Sequence, residues 1–176
     1  MLEPDFRDML SAFNDAHVEY LVVGAFALAG HGYPRATGDL DFWIRASPEN
    51  ADRVVRALTA FGAPAHLAVR EAFLDPDMVV QIGVEPVRID ILVAISGVDF
   101  DDAYRTRLTA NVDGVALPIL SREHLIQNKR AAGRPKDLLD VEALESLRRS
   151  PRVRPESSTR PPTLPPGTPS NGGPSI

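Results

Sequence analysis

The chain has 176 residues, of which 44% are hydrophobic and 24% are charged, with 19 Lys and Arg against 24 Asp and Glu. This composition is typical of a single soluble globular domain. The sequence contains no cysteine, which excludes disulfides, thiol nucleophiles, iron–sulfur clusters and Cys-ligated zinc. The longest apolar run, residues 20–30, is too short to span a bilayer, and residues 1–10 lack the pattern of a secretion signal. We therefore expect a cytoplasmic protein.

Charge and proline are unevenly distributed along the chain. Residues 1–120 carry 9 basic and 18 acidic side chains, whereas residues 121–154 carry 9 basic and 5 acidic ones. The acidic part suits cation binding, and the basic stretch suits either phosphate binding or a solvated helix face. Half of the 16 prolines fall in residues 151–176, which predicts a disordered Pro-rich tail, either dispensable or a docking segment for a partner.

The first predicted elements are short. The β-branched apolar run at residues 19–24 predicts a strand that stops at a glycine, and residues 25–32 predict a short Ala-rich helix. Residues 39–45 begin with alternating polar and apolar side chains, which predicts a second strand. Three side chains share one face of this strand: Asp39, Asp41 and Trp43.

A helix and a hairpin follow. Ser47 and Pro48 are a typical helix start, and apolar residues recur at helical spacing until Gly62. Residues 78–82 and 87–93 then predict two strands, which the turn residues between them would join as an antiparallel hairpin.

Two helices are predicted near the end of the domain. The first covers residues 121–132, with Ser121 as its N-cap and Gly133 after its end. The second starts at Pro135 and runs to about residue 149. Its predicted apolar stripe consists of Leu138, Leu139, Val141, Leu144 and Leu147.

Asp39 and Asp41 are the strongest candidates for a functional role. Side chains at positions i and i+2 of a strand project to the same face, about 6 to 7 Å apart at the Cα level. Two carboxylates this close repel each other unless a cation neutralises them, so the pair predicts a bound divalent metal; ordinary solvent-facing strand residues are the alternative. Magnesium fits best, because the donors are oxygens and no His or Cys cluster accompanies them.

Asp90 is a single carboxylate within an otherwise apolar predicted strand, where an unpaired charge is costly to bury. If this strand lies beside the Asp39 strand, the three carboxylates converge. They could then hold two metal ions about 3.5 to 4 Å apart, which is the arrangement that stabilises both oxygens in phosphoryl transfer. A purely structural partner for Asp90 is the alternative.

Gly24 ends the first predicted strand and begins the next helix. Its backbone can approach an anion closely, and the free N–H groups of a helix start attract phosphate. The order of elements supports this role, because thirteen residues, 26–38, separate Gly24 and Ala25 from the Asp39 strand.

Five stretches carry a resemblance to a known family: residues 23–25, 31–43, 88–90, 125–129 and 132–140. In this order they closely resemble nucleotidyltransferases of the DNA polymerase β superfamily. Within it they resemble the small bacterial AbiEii-like and minimal nucleotidyltransferases, many of which are linked to toxin–antitoxin or phage-defence systems. The resemblance covers about residues 15–147, and its most specific part is the Arg-x-Thr-x-Asp-x-Asp stretch at 35–41.

The resemblance implies an α+β fold, with a mixed sheet flanked by helices, in a nucleotidyltransferase-like domain over residues 1–150. It implies that Asp39 and Asp41 are metal ligands and that Asp90 is a third ligand and candidate general base. The implied nucleotide-binding residues are Gly24, Ala25, Arg35, Thr37 and Lys129. Where the family usually has Gly-Gly or Gly-Ser at the turn, Ala25 keeps a backbone N–H but lacks a serine hydroxyl and the conformational freedom of glycine.

Other side chains have two interpretations each. His31 is either structural or contacts a substrate. Arg35 either pairs with the acidic strand or binds phosphate, and Lys129 either stabilises a helix C-terminus or binds phosphate. Trp43 either packs at the sheet edge or stacks on a base. A solvated helix start is predicted for Arg134, Lys136 and Asp137.

These features together predict a nucleotidyltransferase that uses two Mg²⁺ ions to move NMP from an NTP to an acceptor hydroxyl, with release of pyrophosphate. The acceptor would be an RNA such as tRNA, a protein or a small molecule, recognised through a toxin–antitoxin partner chain or the basic stretch 121–154. The alternative is a non-catalytic, nucleotide-binding antitoxin-like or regulatory module, which Ala25 favours and the three Asp residues disfavour. The net charge of −5 disfavours a general nucleic-acid-binding protein.

Overall fold

The computed structural model describes residues 2–149, so the predicted tail at 151–176 lies outside the described residues. The described residues form an α+β fold in which helices flank one mixed sheet, as expected. The helices are α1 (Pro4–Asp15), α2 (Gly24–Gly30), α3 (Pro48–Phe61), α4 (Phe100–Arg105), α5 (Arg122–Ala132) and α6 (Pro135–Arg149). The strands are β1 (Tyr20–Val22), β2 (Asp39–Ile44), β3 (Val79–Val84), β4 (Val87–Leu92), β5 (Leu108–Val112) and β6 (Val115–Ile119).

The six strands are ordered β3-β4-β2-β1-β6-β5. The β2–β4 and β1–β6 pairs are parallel, and the other neighbours are antiparallel. Two short 3₁₀-helices, Ala65–Leu67 and Arg70–Phe73, connect α3 to β3. No helix within residues 2–149 is long and apolar enough to cross a membrane.

Local capping signals explain the helix boundaries. The Ser47 hydroxyl accepts a hydrogen bond from the Asn50 N–H at 3.2 Å, and Gly62 adopts a left-handed conformation with φ of 87° after the last turn of α3. Ser121 and Gly133 have the same positions at the two ends of α5. The predicted bounds of these two helices are confirmed.

The predicted hairpin is also confirmed, because β3 and β4 pair antiparallel. β4 then lies parallel to β2, as the convergence of the three carboxylates requires. In this register Asp41 is opposite Asp90, and Asp39 is opposite Arg88. The sheet therefore brings residues from two distant parts of the chain to one face.

The sheet separates two apolar clusters. Tyr20 and Phe42 pack with Phe13 of α1 on one face. The neighbouring positions Leu21 and Trp43 belong to the cluster on the opposite face, beneath the C-terminal helices. This second face is the one that carries Asp39 and Asp41, since alternate residues of a strand share a face.

The predicted apolar stripe of α6 is wrong in part. Leu138, Leu139 and Leu147 are 47%, 63% and 40% exposed, and only Val141 and Leu144 of the predicted set are buried. The buried stripe follows helical spacing through Asp137, Asp140, Val141 and Leu144. Its first two members are carboxylates with cationic partners, so a search for apolar periodicity misplaces the face.

Candidate active site

A cleft with a volume of about 720 Å³ opens between the sheet and the C-terminal helices. Its lining includes every residue that the sequence proposed for the site: Gly24, Ala25, Arg35, Thr37, Asp39, Asp41, Asp90 and Lys129. The same cleft is also lined by Arg88, Arg134 and Lys136. The structure thus brings the proposed residues together at one cleft.

Four charged residues form the sheet wall of the cleft: Asp39, Asp41, Arg88 and Asp90. Asp39 and Asp41 share a face of β2, and β4 places Asp90 directly beside Asp41. Asp90 is buried, whereas Asp39 and Asp41 are partly exposed to the cleft. Three carboxylates therefore meet at one end of the parallel β2–β4 pair.

Arg88 is the member of the sheet wall that sequence reasoning missed. Its Nε donates a hydrogen bond to Asp90 Oδ1 at 3.0 Å, and its Nη2 donates to Asp90 Oδ2 at 3.2 Å and to Asp39 Oδ2 at 3.0 Å. Because positions i and i+2 of a strand share a face, the spacing of Arg88 and Asp90 was a signal for their contact. The contact between Arg88 and Asp39 could be predicted only with knowledge of the β2–β4 register.

Asp41 is in a different electrostatic environment from its two neighbours. Burial, followed by the charges of Asp90 and Asp39, raises the pKa of Asp41 from 3.8 to about 6, although Arg88 and Lys129 act in the opposite direction. Ionisation of Asp41 therefore costs free energy in the folded protein, and such a shifted pKa makes Asp41 a candidate functional group.

Gly24 is required by the close approach of α2 to this carboxylate. Its φ is +64°, and a Cβ atom at this position would lie 2.0 Å from Asp41 Oδ2. Only glycine meets both conditions without strain. Ala25 follows in the first turn of α2 and also lines the cleft.

The opposite side of the cleft is the helical wall: Lys129, Arg134, Lys136, Asp137 and Asp140. Lys129 Nζ lies 3.1 Å from Asp137 Oδ1 and 2.9 Å from Asp140 Oδ2. Arg134 Nε donates to Asp137 Oδ2 at 2.6 Å. Asp137 and Asp140 are 0% and 1% exposed, so the prediction of a solvated helix start is wrong for Asp137.

The neighbouring cations keep Asp137 ionised. Burial alone would raise the pKa of Asp137, but hydrogen bonds from Arg134 and Lys129 outweigh it, so the pKa lies below its ordinary value. Sequence reasoning singled out Lys129 and missed its partners. The sequence feature that could have indicated these partners is a pair of acidic residues three positions apart on the face of α6 that meets α5.

Arg35 and Thr37 belong to the loop before β2. Arg35 Nη1 lies 2.7 Å from Asp140 Oδ1, so this arginine pairs with α6 rather than with the acidic strand. The Thr37 hydroxyl accepts a hydrogen bond from the Asp39 N–H at 3.1 Å. The first contact ties the loop to the helical wall, and the second fixes the start of β2.

His31 and Trp43 lie outside the cleft lining. His31 Nε2 is 2.7 Å from the Leu120 carbonyl oxygen, and the Trp43 indole N–H donates to the Val93 carbonyl at 3.3 Å. Trp43 is buried and packs edge to face against Phe100. His31 has the structural environment that was one of its two interpretations. Trp43 packs in the core as well, but on the interior strand β2 and not at the sheet edge.

The donor set of the sheet wall suits a hard divalent cation, because it consists of carboxylate oxygens. Within residues 2–149, however, no three Asp, Glu, His or Cys side chains are grouped closely enough to hold one ion as they stand. The Arg88 guanidinium is the cation that lies between Asp39 and Asp90 in this arrangement. The donor chemistry fits magnesium, and any such ion shares the sheet wall with an arginine.

The sequence matches no protein-family model and no curated protein. Among solved structures, the chain is similar to a candidate nucleotidyltransferase from Thermotoga maritima, with 18% identity and a TM-score of 0.50 over 84% of this chain and 93% of that one. It is also similar to an antigenic nucleotidyltransferase-like protein from Paracoccidioides brasiliensis, with 15% identity and a TM-score of 0.47 over 81% of this chain and 74% of that one. The first similarity shows a shared fold.

Proposed function

We propose that this protein is a Mg²⁺-dependent nucleotidyltransferase, which moves NMP from an NTP to an acceptor hydroxyl. The observation that carries the proposal is the placement of Asp41 between Asp39 and Asp90 on the sheet wall, facing a cationic helical wall across one cleft. A transferase of this kind needs acidic groups for a metal and cationic groups for phosphates in one place. The fold shared with the Thermotoga maritima protein, described as a candidate nucleotidyltransferase, supports the same function.

The reaction needs one bond to form and one to break. The acceptor oxygen bonds to the α-phosphorus, and the bond from that phosphorus to the bridging oxygen breaks, so pyrophosphate leaves with the electron pair. Asp90 is proposed to take the hydroxyl proton, since it lies beside Asp41 at the buried end of the wall. Magnesium held by Asp39, Asp41 and Asp90 would supply neutralisation of negative charge on the reacting phosphates.

The helical wall is proposed to bind the triphosphate. Lys129, Arg134 and Lys136 line the cleft, and the Asp140 pair holds Arg35 at the same side. Four cations against the two buried carboxylates leave a net charge of +2 on this side. A positive wall opposite an acidic one orients a nucleotide with its phosphates toward the helices.

The acceptor is proposed to be an RNA such as tRNA, a protein or a small molecule. The basic stretch that begins at residue 121 forms α5 and α6, and its side chains Lys129, Arg134 and Lys136 face the cleft. It is therefore placed to meet an anionic acceptor near the reacting phosphate. We further propose that the protein is cytoplasmic, of the AbiEii-like type, and acts with a partner chain of a toxin–antitoxin pair.

The test is transfer of label from each α-labelled NTP in turn, with Mg²⁺, to total tRNA, to cell extract and without acceptor. Asp41→Asn removes the central carboxylate, and Asp52→Asn is its matched control, because Asp52 pairs with Arg70 outside the cleft. We expect label transfer by the wild type and by Asp52→Asn but none by Asp41→Asn. The labelled species would identify the acceptor.

A second candidate, a non-catalytic nucleotide-binding antitoxin-like or regulatory module, is favoured by one observation. Arg88 already pairs with Asp39 and Asp90, so two of the three carboxylates have a partner within the chain. This second function replaces the first if no mixture transfers label although the wild type binds NTP and Asp41→Asn binds it more weakly.

A further inference from the structure

Arg88 bridges the two strands that carry the acidic residues. In the parallel β2–β4 register it lies opposite Asp39 and two residues before Asp90, and it donates hydrogen bonds of 3.0 to 3.2 Å to both carboxylates. Its side chain is 27% exposed and lines the cleft. A guanidinium cannot lose its proton in a protein, so this positive charge is permanent.

The charge of the sheet wall limits how many metal ions it can neutralise. Three carboxylates and one guanidinium leave a net charge of −2. Without bound nucleotide, one divalent cation neutralises that charge, whereas two would leave an excess of +2 next to the permanent charge of Arg88, which Coulomb repulsion opposes. Lys129 does not change this count, because its ammonium is held by Asp137 and Asp140 on the other wall.

We propose that, in the absence of nucleotide, Arg88 takes the place of one of the two metal ions expected here, so that the sheet wall binds a single divalent cation beside Asp41. This inference rests on the proposed function, because it concerns the metal of that same site. Arg88 occupies one side of Asp39 and Asp90, so the metal lies on the other side, beside Asp41, which has no pairing cation within residues 2–149. Arg88 is therefore a positioning residue that fixes the metal stoichiometry.

The test is a titration of the full chain with Mn²⁺ alone, in which electron paramagnetic resonance counts free and bound ions. We expect one bound Mn²⁺ in the wild type and two in Arg88→Gln, with the first ion bound about 10-fold or more tightly in the variant because a nearby positive charge is lost. Arg88→Lys keeps the charge and should stay at one. Arg70→Gln removes an arginine that pairs with Asp52 outside the cleft, and should match the wild type.

Two outcomes overturn the inference: two Mn²⁺ ions bound by the wild type, or Arg88→Gln binding Mn²⁺ with the same number and affinity as the wild type. Circular dichroism and a melting curve on each variant separate misfolding from a metal effect, and an arginine with a structural role alone would lower the melting temperature without changing the count. Label transfer is a separate readout. If the wild type transfers label but binds two Mn²⁺ ions, the proposed function holds and the metal inference is wrong. If Arg88→Gln raises the count from one ion to two but the wild type transfers no label, the metal inference holds and the proposed function is wrong.

Discussion

Within residues 2–149, both carboxylates of the helical wall have cations at hydrogen-bond distance, whereas Asp41 of the sheet wall pairs with none. Hydrogen bonds from Arg134 and Lys129 outweigh burial and lower the pKa of Asp137, whereas burial and two neighbouring carboxylates raise the pKa of Asp41 to about 6. Burial alone therefore does not explain the difference; pairing does. One wall uses charge to hold elements together, and the other keeps an uncompensated charge at a cost in stability, as functional sites often do.

The largest expected effect on stability comes from breaking an ion pair of the helical wall. Asp140→Asn removes the negative charge that Lys129 and Arg35 share, and loss of one partner from a buried pair costs about 3 to 5 kcal/mol in the free energy of unfolding. Urea unfolding of the variant measures this cost. Glu145→Gln is the matched control, because its exposed pair with Arg130 is worth about 1 kcal/mol or less. Equal effects of the two substitutions would contradict the comparison.

Gly24→Ala tests the contact between α2 and the sheet wall. Gly24 and Gly32 both have positive φ, at +64° and +88°, but a Cβ would meet Asp41 only at Gly24, since nothing lies within 4 Å of one at Gly32. Gly32→Ala should cost about 1 to 2 kcal/mol from the backbone alone. Gly24→Ala should cost about 2 to 4 kcal/mol because overpacking is added, and it should weaken NTP binding. Similar unfolding free energies for the two variants would show that the close approach to Asp41 does not matter.

Asp41→Asn should raise the free energy of unfolding, whereas the preceding substitutions lower it. The folded protein binds the Asp41 proton more strongly than the unfolded chain, since its pKa rises from 3.8 to about 6. The ionised carboxylate therefore destabilises the metal-free fold fully above about pH 6, and this cost disappears as the pH falls below about 4. We expect Asp41→Asn to be more stable than the wild type by about 1 to 3 kcal/mol near pH 8, and the gain to vanish near pH 4.

Urea unfolding at the two pH values, without metal, measures the Asp41 effect. Asp52→Asn again serves as the control, because Asp52 forms an exposed pair with Arg70. A variant less stable than the wild type near pH 8 would show that Asp41 contributes to folding like Asp140, and the distinction between the two walls would be lost.

The smallest expected effect concerns His31, which lies outside both walls. Its ring nitrogen is 2.7 Å from the Leu120 carbonyl oxygen, and loss of one such hydrogen bond costs about 1 kcal/mol. His31→Ala should lower the melting temperature slightly and leave NTP binding unchanged. Weaker NTP binding at unchanged stability would restore the interpretation of His31 as a substrate contact.

Local signals made much of the fold predictable. Ser47 and Gly62 bound α3 because capping depends only on neighbouring residues. The hairpin β5–β6 was missed although Asp113 and Gly114 form its turn with φ of 52° and 82°, a known two-residue hairpin signal. Helix α1 was missed too, although its buried residues follow helical spacing: Phe6, Met9, Leu10 and Phe13.

The site was predictable to a different degree on each wall. Asp39 and Asp41 could be placed on one face because strand alternation is local. The bridge from Arg88 to Asp39 depends on the β2–β4 register, and the pair between Arg35 and Asp140 joins residues far apart in the chain. Such pairings follow from tertiary packing, which no window of sequence reports. The sequence therefore indicated the carboxylates of the sheet wall but not the side chains that pair across the fold, such as Arg88 with Asp39 and Asp140 with Arg35.

The position of β1 also has a consequence for synthesis on the ribosome. This three-residue strand lies in the middle of the sheet, between β2 and β6, and its partner β6 ends at Ile119. The β1–β2 pair can form early, but the far edge of β1 stays open until residues 115–119 have left the exit tunnel. A nascent chain that stalls before that point exposes an unpaired apolar strand edge, which is open to pairing with another chain.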